Sequence, residues 1–332
     1  MHSIVFSIRK DVSTVFQTAV IPSFGPFSPA QMERLKTAHP RQEVHFFDHL
    51  PTPAELAGFA CIIGNPPVSL IKELPDLKLL QLCSAGVDVY VNDSDYPRQV
   101  ILANASGAYG EIIAEFTIGM HLYLLKQLGQ YRDAMAEGRW EMLGQVSQLA
   151  GSTVVCLGTG DLGASYAKKA QLLGAHTIGI KRTPAANLPA FDRVATMDQL
   201  EEILPQADAL VLSLPDTPET RQILNTHTLS CCKDGVLVIN IGRGTAIDTE
   251  ALCQALDAGK VGAAGLDVTD PEPLPQGHRL WKYPNVLITP HVTGGSCNAV
   301  SRERIVEIAN RNISSFIETG VVPHAIDIER KY

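Results

Sequence analysis

The sequence lacks the cysteine patterns that structural metal sites and disulfide frameworks need. Its seven cysteines are scattered and odd in number, and no C-x-x-C pair or Cys/His cluster with zinc spacing occurs. Reduced thiols are therefore expected, as in proteins of a reducing compartment. We predict no metal site.

Positive charge is also scarce, and long apolar runs are missing. The chain has 27 Lys and Arg against 35 Asp and Glu, a net charge of -8, which disfavours a broad surface for nucleic acid or anionic membrane. No apolar run reaches the ~20 residues of a membrane span, and the N-terminus shows no basic leader followed by an apolar segment. These absences predict a cytoplasmic protein that binds neither nucleic acid nor membrane.

Short β-like runs alternate with helix-like runs along the chain. A length of 332 residues indicates about two domains, and such alternation is typical of parallel strands covered by helices. The predicted strands are 4–8, 44–47, 60–63, 77–82, 100–103, 153–157, 177–180, 209–214, 236–241, 263–267 and 286–289. The predicted helices are 29–37, 69–74, 112–131, 164–173 and 296–319, the last capped by Ser296, with further helix starts at Thr217 and Asp248.

Three glycines spaced G-x-G-x-x-G stand between a predicted strand and a predicted helix. Gly158 permits a tight turn, Gly160 lets the backbone approach a phosphate, and Gly163 lets the helix pack on the strand. The helix start also offers unpaired N–H groups and the positive end of its dipole. We therefore predict a dinucleotide site here, with an ordinary strand-to-helix turn as the alternative. The residues concerned are Gly158, Thr159, Gly160, Asp161, Leu162 and Gly163.

The glycine motif opens the second of two alternating series, and a last helix pattern follows that series. The chain is therefore predicted to leave its first domain and to return to it. The predicted fold is α/β, with two doubly wound parallel-sheet domains, a Rossmann dinucleotide-binding domain being inserted into a flavodoxin-like substrate domain. The predicted bounds are 1–103 and 296–332 for the substrate domain and 104–295 for the NAD(P)-binding domain.

Three charged residues stand near predicted strand ends in the second series: Arg243, Glu272 and His291. Ligands of open α/β sheets bind beyond the carboxyl ends of the strands. Arg243 has a planar guanidinium to hold a carboxylate, His291 can exchange a proton near neutral pH, and Glu272 can orient its ring. Singly, a solvated arginine, a turn glutamate and a strand-capping histidine are the plainer interpretations. Together, behind a dinucleotide motif, they indicate catalysis.

Further motifs run in a fixed order from about Leu77 to Val306. They are Ser84 to Asp88, Asn104 to Gly107 with Ala114-Glu115, the glycine stretch, Leu214 to Thr220, Ile241 to Gly244, Asp267 to Pro273, and Leu280-Trp281 leading through Pro284-Asn285-Val286 to His291. This ordered set resembles the D-isomer-specific 2-hydroxyacid dehydrogenase family. The first seventy residues add only a compatible α/β pattern.

The resemblance implies a role for each matched residue. Arg243 would bind the substrate carboxylate and polarise the keto oxygen. His291 would donate a proton in reduction or remove one in oxidation, with Glu272 as its partner. The backbone at Ala85 and Gly86 would contact the same carboxylate. The expected cofactor contacts are Asp267 with the nicotinamide carboxamide, and Leu214, Pro215 and Ile241 along the cofactor cleft.

The end of the second nucleotide-domain strand departs from the family pattern. Members that use NAD usually have an acidic residue there, paired with the ribose hydroxyl, whereas this chain has Lys181, Arg182 and Thr183. A carboxylate repels the 2′-phosphate and cations attract it, so NADP is the predicted cofactor and NAD the less favoured one. A solvated basic turn is the alternative.

The function predicted first is an NADP-dependent reductase that interconverts a 2-ketoacid and a D-2-hydroxyacid, with glyoxylate or hydroxypyruvate as first substrates. A phosphoglycerate-dehydrogenase-like enzyme would need extra cations near the pocket, and commonly an appended regulatory domain, for which we expect no room after the last helix. A dinucleotide-sensing corepressor or scaffold needs no proton donor, so the charged triad disfavours it. Formate dehydrogenase would need a glutamine where Glu272 stands.

Two aromatic residues leave substrate and assembly open. Tyr109 stands where many relatives have a small polar residue. Trp140 follows the helix 112–131. It would belong to a dimer contact or to a neighbouring active site, or it would act as a staple that packs that helix against the core. The resemblance implies a homodimer built from the nucleotide domain and the arm that carries Trp140.

Overall fold

The structure, a computed structural model, describes residues 14–22, 26–184, 188–295, 299–323 and 325–330. The chain divides into two compact units, Met1–Tyr109 with Ser296–Tyr332 and Gly110–Gly295. The second unit is thus inserted into the first, as the position of the glycine motif predicted. The strand predicted at 4–8 and the cap predicted at Ser296 lie outside the described residues.

The first unit contains a five-stranded sheet in which all paired strands are parallel. Its strands are β1 (Phe16–Val20), β2 (Gln42–Phe46), β3 (Cys61–Ile63), β4 (Leu79–Gln81) and β5 (Ile101–Ala103), and its first helices are α1 (Pro29–Lys36), α2 (Val68–Ile71) and α3 (Asp88–Val91). The strand order β2-β1-β3-β4-β5 is that of flavodoxin-like folds. All three residues of β3 are fully buried, because a central parallel strand has both faces covered.

The second unit contains a seven-stranded sheet, also parallel throughout. Its strands are β6 (Thr153–Leu157), β7 (His176–Lys181), β8 (Arg193–Thr196), β9 (Ala209–Leu212), β10 (Val236–Asn240), β11 (Val261–Leu266) and β12 (Val286–Ile288). The order β12-β11-β10-β9-β6-β7-β8 is the Rossmann order with one strand added at an edge. The predicted fold class is therefore confirmed.

Helices of the second unit cover the two faces of this sheet. They are α4 (Gly110–Leu125), α5 (Leu128–Ala136), α6 (Asp161–Leu172), α7 (Leu200–Ile203), α8 (Thr226–Ser230) and α9 (Thr249–Asp257). Asp248 caps α9 by accepting hydrogen bonds from the backbone of Glu250 and Ala251, as predicted for a helix start at this aspartate. None of the described helices is long and apolar enough to cross a membrane.

The chain returns to the first unit through the long helix α10 (Ala299–Thr319). Its buried stripe includes Ile305, Ala309 and Phe316, at the spacing of one helix face. Asn312 donates a hydrogen bond of 2.6 Å to Gln81 at the end of β4, and both side chains are buried. This bond satisfies two polar groups inside the core and ties the last helix to the central strands.

Several features of the secondary structure differ from the sequence prediction. Strands β1 and β8 and the short helices α3, α7 and α8 were not predicted. The single helix predicted at 112–131 is two helices, because Gln127 adopts a left-handed conformation with φ 53° between them. The helix start predicted at Thr217 is wrong: residues 218–222 form turns, and the next helix is capped by Asn225.

A histidine is buried between two helices of the second unit. His121 on α4 is 1% exposed, and its Nδ1 lies 2.6 Å from the hydroxyl of Tyr166 on α6. Burial lowers the pKa of His121 to about 4 from 6.5, because a charged imidazolium is poorly solvated there. The folded state therefore keeps this ring neutral at pH values where the unfolded chain protonates it.

We predict that His121 makes the protein lose stability as the pH falls from 6.5 towards 4. The folded pKa is depressed, so the stability is fully present above 6.5 and is lost below it, by roughly 3 kcal/mol in all. Urea unfolding of the protein and of His121→Gln, compared between pH 7 and pH 4.5, measures this contribution. His176→Gln, which changes an exposed histidine of the same unit, is the control. Identical pH slopes for the protein and His121→Gln would contradict the prediction.

Candidate active site

The carboxyl ends of seven parallel strands meet at one edge of the second unit's sheet. Each predicted site residue of this unit lies at that edge. Lys181 ends β7, the glycine stretch follows β6, Leu214 and Pro215 follow β9, Ile241 and Arg243 follow β10, Asp267 follows β11, and His291 follows β12. The sheet thus brings the predicted cofactor and catalytic positions together in the order of its strands.

The glycine stretch has the geometry of a dinucleotide turn. Gly158 has φ 106°, which side chains rarely tolerate. A Cβ on Gly163 would lie 2.1 Å from the carbonyl oxygen of Gly158, so helix α6 touches the strand end directly. A Cβ on Gly160, by contrast, would meet nothing within 4 Å. Gly158 therefore permits the turn, Gly163 permits the close packing of the helix on the strand end, and Gly160 between them faces open space.

The start of α6 fits a pyrophosphate. In the described part of the chain, the backbone N–H groups of Asp161, Leu162 and Gly163 have no acceptor, and Gly160 supplies no side-chain cap. Unpaired N–H groups and the helix dipole attract an anion. The open space at Gly160 is the room that a phosphate needs to approach them. The residues present therefore fit a nicotinamide dinucleotide.

The basic turn lies next to the glycine stretch. The N–H of Gly158 donates to the carbonyl of Ile180, the residue before Lys181, at 3.0 Å. Lys181 is half-buried, and Arg182 is exposed. The pKa of Glu219, beyond β9, is lowered by hydrogen bonds from its own backbone and from Thr217, and to a smaller extent by the charge of Arg182. The guanidinium of Arg182 is thus close enough to the next loop to act on its carboxylate.

His291 and Glu272 form a directly hydrogen-bonded pair. The ring Nδ1 of His291 lies 2.7 Å from Glu272 Oε1, and about half of each side chain is exposed. An ionised carboxylate only accepts, so Nδ1 carries a proton and Nε2 is the nitrogen left for proton exchange. His291 also has φ 53°, a left-handed conformation that surrounding contacts must hold. This pairing is the arrangement that the sequence predicted.

A buried asparagine fixes the loop of Arg243. Asn240, fully buried at the end of β10, donates to the carbonyl of Arg243 at 2.8 Å and accepts from the N–H of Gly242 at 3.1 Å. A Cβ on Gly244 would lie 2.0 Å from the carbonyl oxygen of Thr269. The loop that carries Arg243 therefore packs closely against the segment that leads to Glu272.

Asp267 is buried below the loop of His291. It is 2% exposed, and its carboxylate accepts hydrogen bonds from Thr289, Val292 and Thr293. The backbone N–H of His291 donates to the Asp267 carbonyl at 2.8 Å. The contact with a nicotinamide carboxamide that the resemblance implied for Asp267 stays a prediction.

In the first unit, Ala85 and Gly86 lie in the loop between β4 and α3. Ser84 donates to the Gly86 carbonyl at 2.9 Å, and Asn104 donates to the Ala85 carbonyl at 2.6 Å. In the described residues, the N–H groups of Ala85 and Gly86 have no acceptor. A loop with held carbonyls and unpaired N–H groups suits a carboxylate, so the geometry favours the predicted substrate role, which stays a prediction.

Tyr109 supports the same loop. Its hydroxyl donates to the carbonyl of Cys83, one residue before Ser84, and burial raises its pKa above the usual value of 10. Tyr109 is therefore a neutral hydrogen-bond donor that anchors the strand end.

Trp140 is fully exposed in the second unit, on the segment between α5 and β6. The interpretation of Trp140 as a staple between helix and core is therefore wrong. Its neighbour Met142 is 91% exposed. Two large apolar side chains in water favour the other interpretations, in which this arm contacts a second chain.

Two residues that shape the site, Asn240 and Thr293, were not singled out from the sequence, and Asn104 was named there only as the start of a motif, without a role. Asn240 had a usable signal, because it is the one polar residue at the end of the apolar run Val236-Leu237-Val238-Ile239. A polar residue at such a position is expected to bond to the following loop. Asn104 and Thr293 have partners distant in sequence, which local patterns do not reveal.

Residues 118–293 match the family model described as D-isomer specific 2-hydroxyacid dehydrogenase, NAD binding domain. Among curated proteins, the glycerate dehydrogenase of Methylorubrum extorquens is 30% identical over 258 residues, which are 74% of this chain and 78% of that protein.

Two solved structures are similar over nearly the whole chain. A D-isomer specific 2-hydroxyacid dehydrogenase from Xanthobacter autotrophicus, in complex with NADPH and MES, has a TM-score of 0.79 and 30% identity, with 95% of this chain and 99% of that chain covered. An NADPH-dependent glyoxylate/hydroxypyruvate reductase from Sinorhizobium meliloti, with NADP and sulfate, has a TM-score of 0.78 and 28% identity, with 95% and 100% covered.

We predict that alanine at Gly160 and at Gly163 separates cofactor binding from stability. Gly163→Ala forces a Cβ into backbone and should lower the free energy of unfolding by about 1–3 kcal/mol. Gly160→Ala adds a methyl group to open space, so the unliganded protein should unfold at the same urea concentration. It should nevertheless weaken the binding of a reduced nicotinamide dinucleotide about tenfold or more, since the methyl group occupies the phosphate's approach. Urea midpoints and fluorescence titration measure both. Full affinity of Gly160→Ala for the dinucleotide would contradict the predicted phosphate position.

Proposed function

We propose that this chain, which belongs to the D-isomer specific 2-hydroxyacid dehydrogenase family, interconverts a 2-ketoacid and a D-2-hydroxyacid with NADPH as the reductant. As a member of this family it is an oxidoreductase that acts on CH–OH groups. The observation that carries the proposal is the bonded His291–Glu272 pair, at the sheet edge that also bears Arg243 and the glycine turn. A corepressor or scaffold would have no use for this pair.

Each residue of the triad has a distinct task in the reduction. When bound, the nicotinamide supplies the hydride that reaches the keto carbon. Arg243 holds the substrate carboxylate and stabilises the negative charge that grows on the keto oxygen. His291 donates the proton from Nε2 to that oxygen, which completes the CH–OH group. Glu272 accepts from Nδ1 and keeps the ring oriented.

The substrate is a small 2-ketoacid, for which glyoxylate and hydroxypyruvate are the first candidates. The similar Sinorhizobium meliloti enzyme is named for these two substrates. In the first unit, the unpaired N–H groups of Ala85 and Gly86 offer neutral donors to a carboxylate. A single carboxylate can be held by one guanidinium such as that of Arg243, whereas a phosphorylated substrate would need further cations.

NADPH is the proposed cofactor, because Lys181 and Arg182 stand at the end of β7, beside the glycine turn. A 2′-phosphate would lie at this position. Lys181 is one residue beyond the Ile180 carbonyl that binds Gly158, so its position relative to the turn is set by a backbone hydrogen bond. Thr183 adds a hydroxyl, and Arg182 is exposed to solvent. Two similar structures hold NADPH or NADP.

We further propose a homodimer in which the arm with Trp140 and Met142 contacts the second chain. Both side chains stand almost entirely in water in the single chain. Burying them in a symmetric contact would stabilise the dimer at about 25 cal/mol for each Å² of apolar surface.

We predict that His291→Ala lowers the turnover number for a 2-ketoacid by about 10²- to 10⁴-fold, the usual contribution of a general acid. Affinity for NADPH should change little, because the loss is confined to the proton donor. Steady-state kinetics with fluorescence titration of NADPH measure both. His176→Ala, which changes an exposed histidine at the start of β7, distant in sequence from all three residues of the triad, is the control. A fall of less than tenfold in a folded His291→Ala protein would exclude His291 as the proton donor.

We predict a clear NADPH preference in kcat/KM, about ten- to several-hundredfold, from two cations and a hydroxyl facing the 2′-phosphate. The preference should shrink as salt rises, because exposed charges are screened. Lys181→Asp should reverse much of it by repelling the phosphate. Lys168→Asp makes the same charge change at an exposed site on α6 and should leave the ratio alone. Equal use of NADH and NADPH by the unmodified protein would refute the NADP assignment.

We predict that light scattering at micromolar protein gives twice the chain mass of 35.9 kDa. The double change Trp140→Glu with Met142→Glu should shift the protein to monomer, because a symmetric contact would bury four charges. Leu172→Glu, at an 86% exposed residue outside the arm, is the matched control. A monomer before any substitution would rule the dimer out.

A further inference from the structure

The carboxylate of Asp267 has four hydrogen-bond donors. Oδ1 accepts from the Thr289 hydroxyl at 2.6 Å and from the Val292 N–H at 2.9 Å, and Oδ2 accepts from the Thr293 hydroxyl at 2.6 Å and from the Thr293 N–H at 3.1 Å. An ionised carboxylate has about four acceptor sites, so this set uses its full capacity. Any other ligand of Asp267 has to displace one of these donors.

All four donors come from one segment, Thr289 to Thr293, and His291 lies at its centre. The N–H of His291 also donates to the Asp267 backbone carbonyl, so the segment is bound to this aspartate at five points. His291 itself has φ 53°, which is unfavourable for a residue with a side chain. The contacts on either side of His291 hold it in that conformation.

The carboxylate is buried, so its donors cannot be replaced cheaply. Asp267 is 2% exposed and Thr293 is 4% exposed, and no salt bridge to Asp267 occurs within the described residues. Hydrogen bonds to a charged acceptor are roughly twice as strong as neutral ones, and an ion with too few donors is costly in a dry site. The charge therefore forces the segment into the one shape that satisfies it.

We infer that Thr293 is a positioning residue for the reaction: its hydroxyl, through the carboxylate of Asp267, holds His291 at the point where the ring meets Glu272. The inference rests on the proposed role of His291 as proton donor. Asp267 acts here as a clamp on the catalytic segment, and Thr289 is the corresponding donor to the other carboxylate oxygen.

Thr293→Val tests the inference because valine keeps the shape and removes only the hydroxyl. Without that donor the segment should loosen and His291 should spend less time against Glu272. We expect kcat for a 2-ketoacid to fall about tenfold or more, since small misplacements of a catalytic group cost this much. The dissociation constant of NADPH should stay within twofold. Thr293→Ser, which restores the hydroxyl, should return kcat to within threefold of the unmodified protein.

Hydrogen exchange of the segment gives a second readout that needs no substrate. The amides of His291, Val292 and Thr293 all bond to Asp267, so a peptide spanning them should exchange at least tenfold faster in Thr293→Val. It should exchange at the original rate in Thr293→Ser. Thr289→Val, measured in the same way, provides an independent removal of a donor if the first variant does not fold.

Unchanged exchange in both valine variants, or faster exchange with unchanged kcat, would overturn the inference. A weaker NADPH affinity with unchanged kcat would also overturn it, since Asp267 would then serve the cofactor. Failure of the proposed function looks different, because the unmodified protein would then turn over no 2-ketoacid. Faster exchange in that case would support the clamp, and unchanged exchange would refute it.

Discussion

The parallel direction of the seven strands in the inserted unit is the constraint on which the site depends. Because all seven strands described in this sheet run in the same direction, their carboxyl ends lie at the same edge. The glycine turn after β6, the arginine loop after β10 and the histidine loop after β12 are then neighbours, although 133 positions separate Gly158 from His291. The arrangement of the strands therefore fixes the positions of these loops relative to one another.

Buried polar side chains at the ends of β10 and β11 hold the catalytic loops in place at this edge of the sheet. Asn240 bonds to the backbone of Gly242 and of Arg243, and Asp267 bonds to the segment around His291. Both are 2% exposed or less, and an unsatisfied polar group at such a site costs about 1–3 kcal/mol. Each loop is therefore held in the conformation that pairs these groups. The outer pair of His291 and Glu272 stays half-exposed and open to a substrate.

Part of the fold and of the candidate site was predictable from the sequence, because their signals lie within short stretches of the chain. The glycine spacing, the charged triad and Lys181 lie at strand ends that apolar runs already mark, so their placement followed from topology. Strand β1 was missed because Gln17 and Thr18 interrupt its apolar run, and the break between α4 and α5 because Gln127 gives no signal of a left-handed residue. The clamp at Asp267 depends on Thr293, whose partner is set by tertiary contact alone. The exposure of Trp140 is likewise a property of the folded chain.

The most direct test of this account is to follow hydride and configuration together in one product. Hydroxypyruvate would be reduced with NADPH carrying deuterium at the transferable position of the nicotinamide, and the glycerate would be analysed by chiral chromatography with mass spectrometry. Direct hydride transfer at this site should give D-glycerate alone, with one deuterium on the carbon that bears the new hydroxyl. L-glycerate, a racemic product, or deuterium missing from that carbon would contradict direct hydride transfer at a site built for D-2-hydroxyacids.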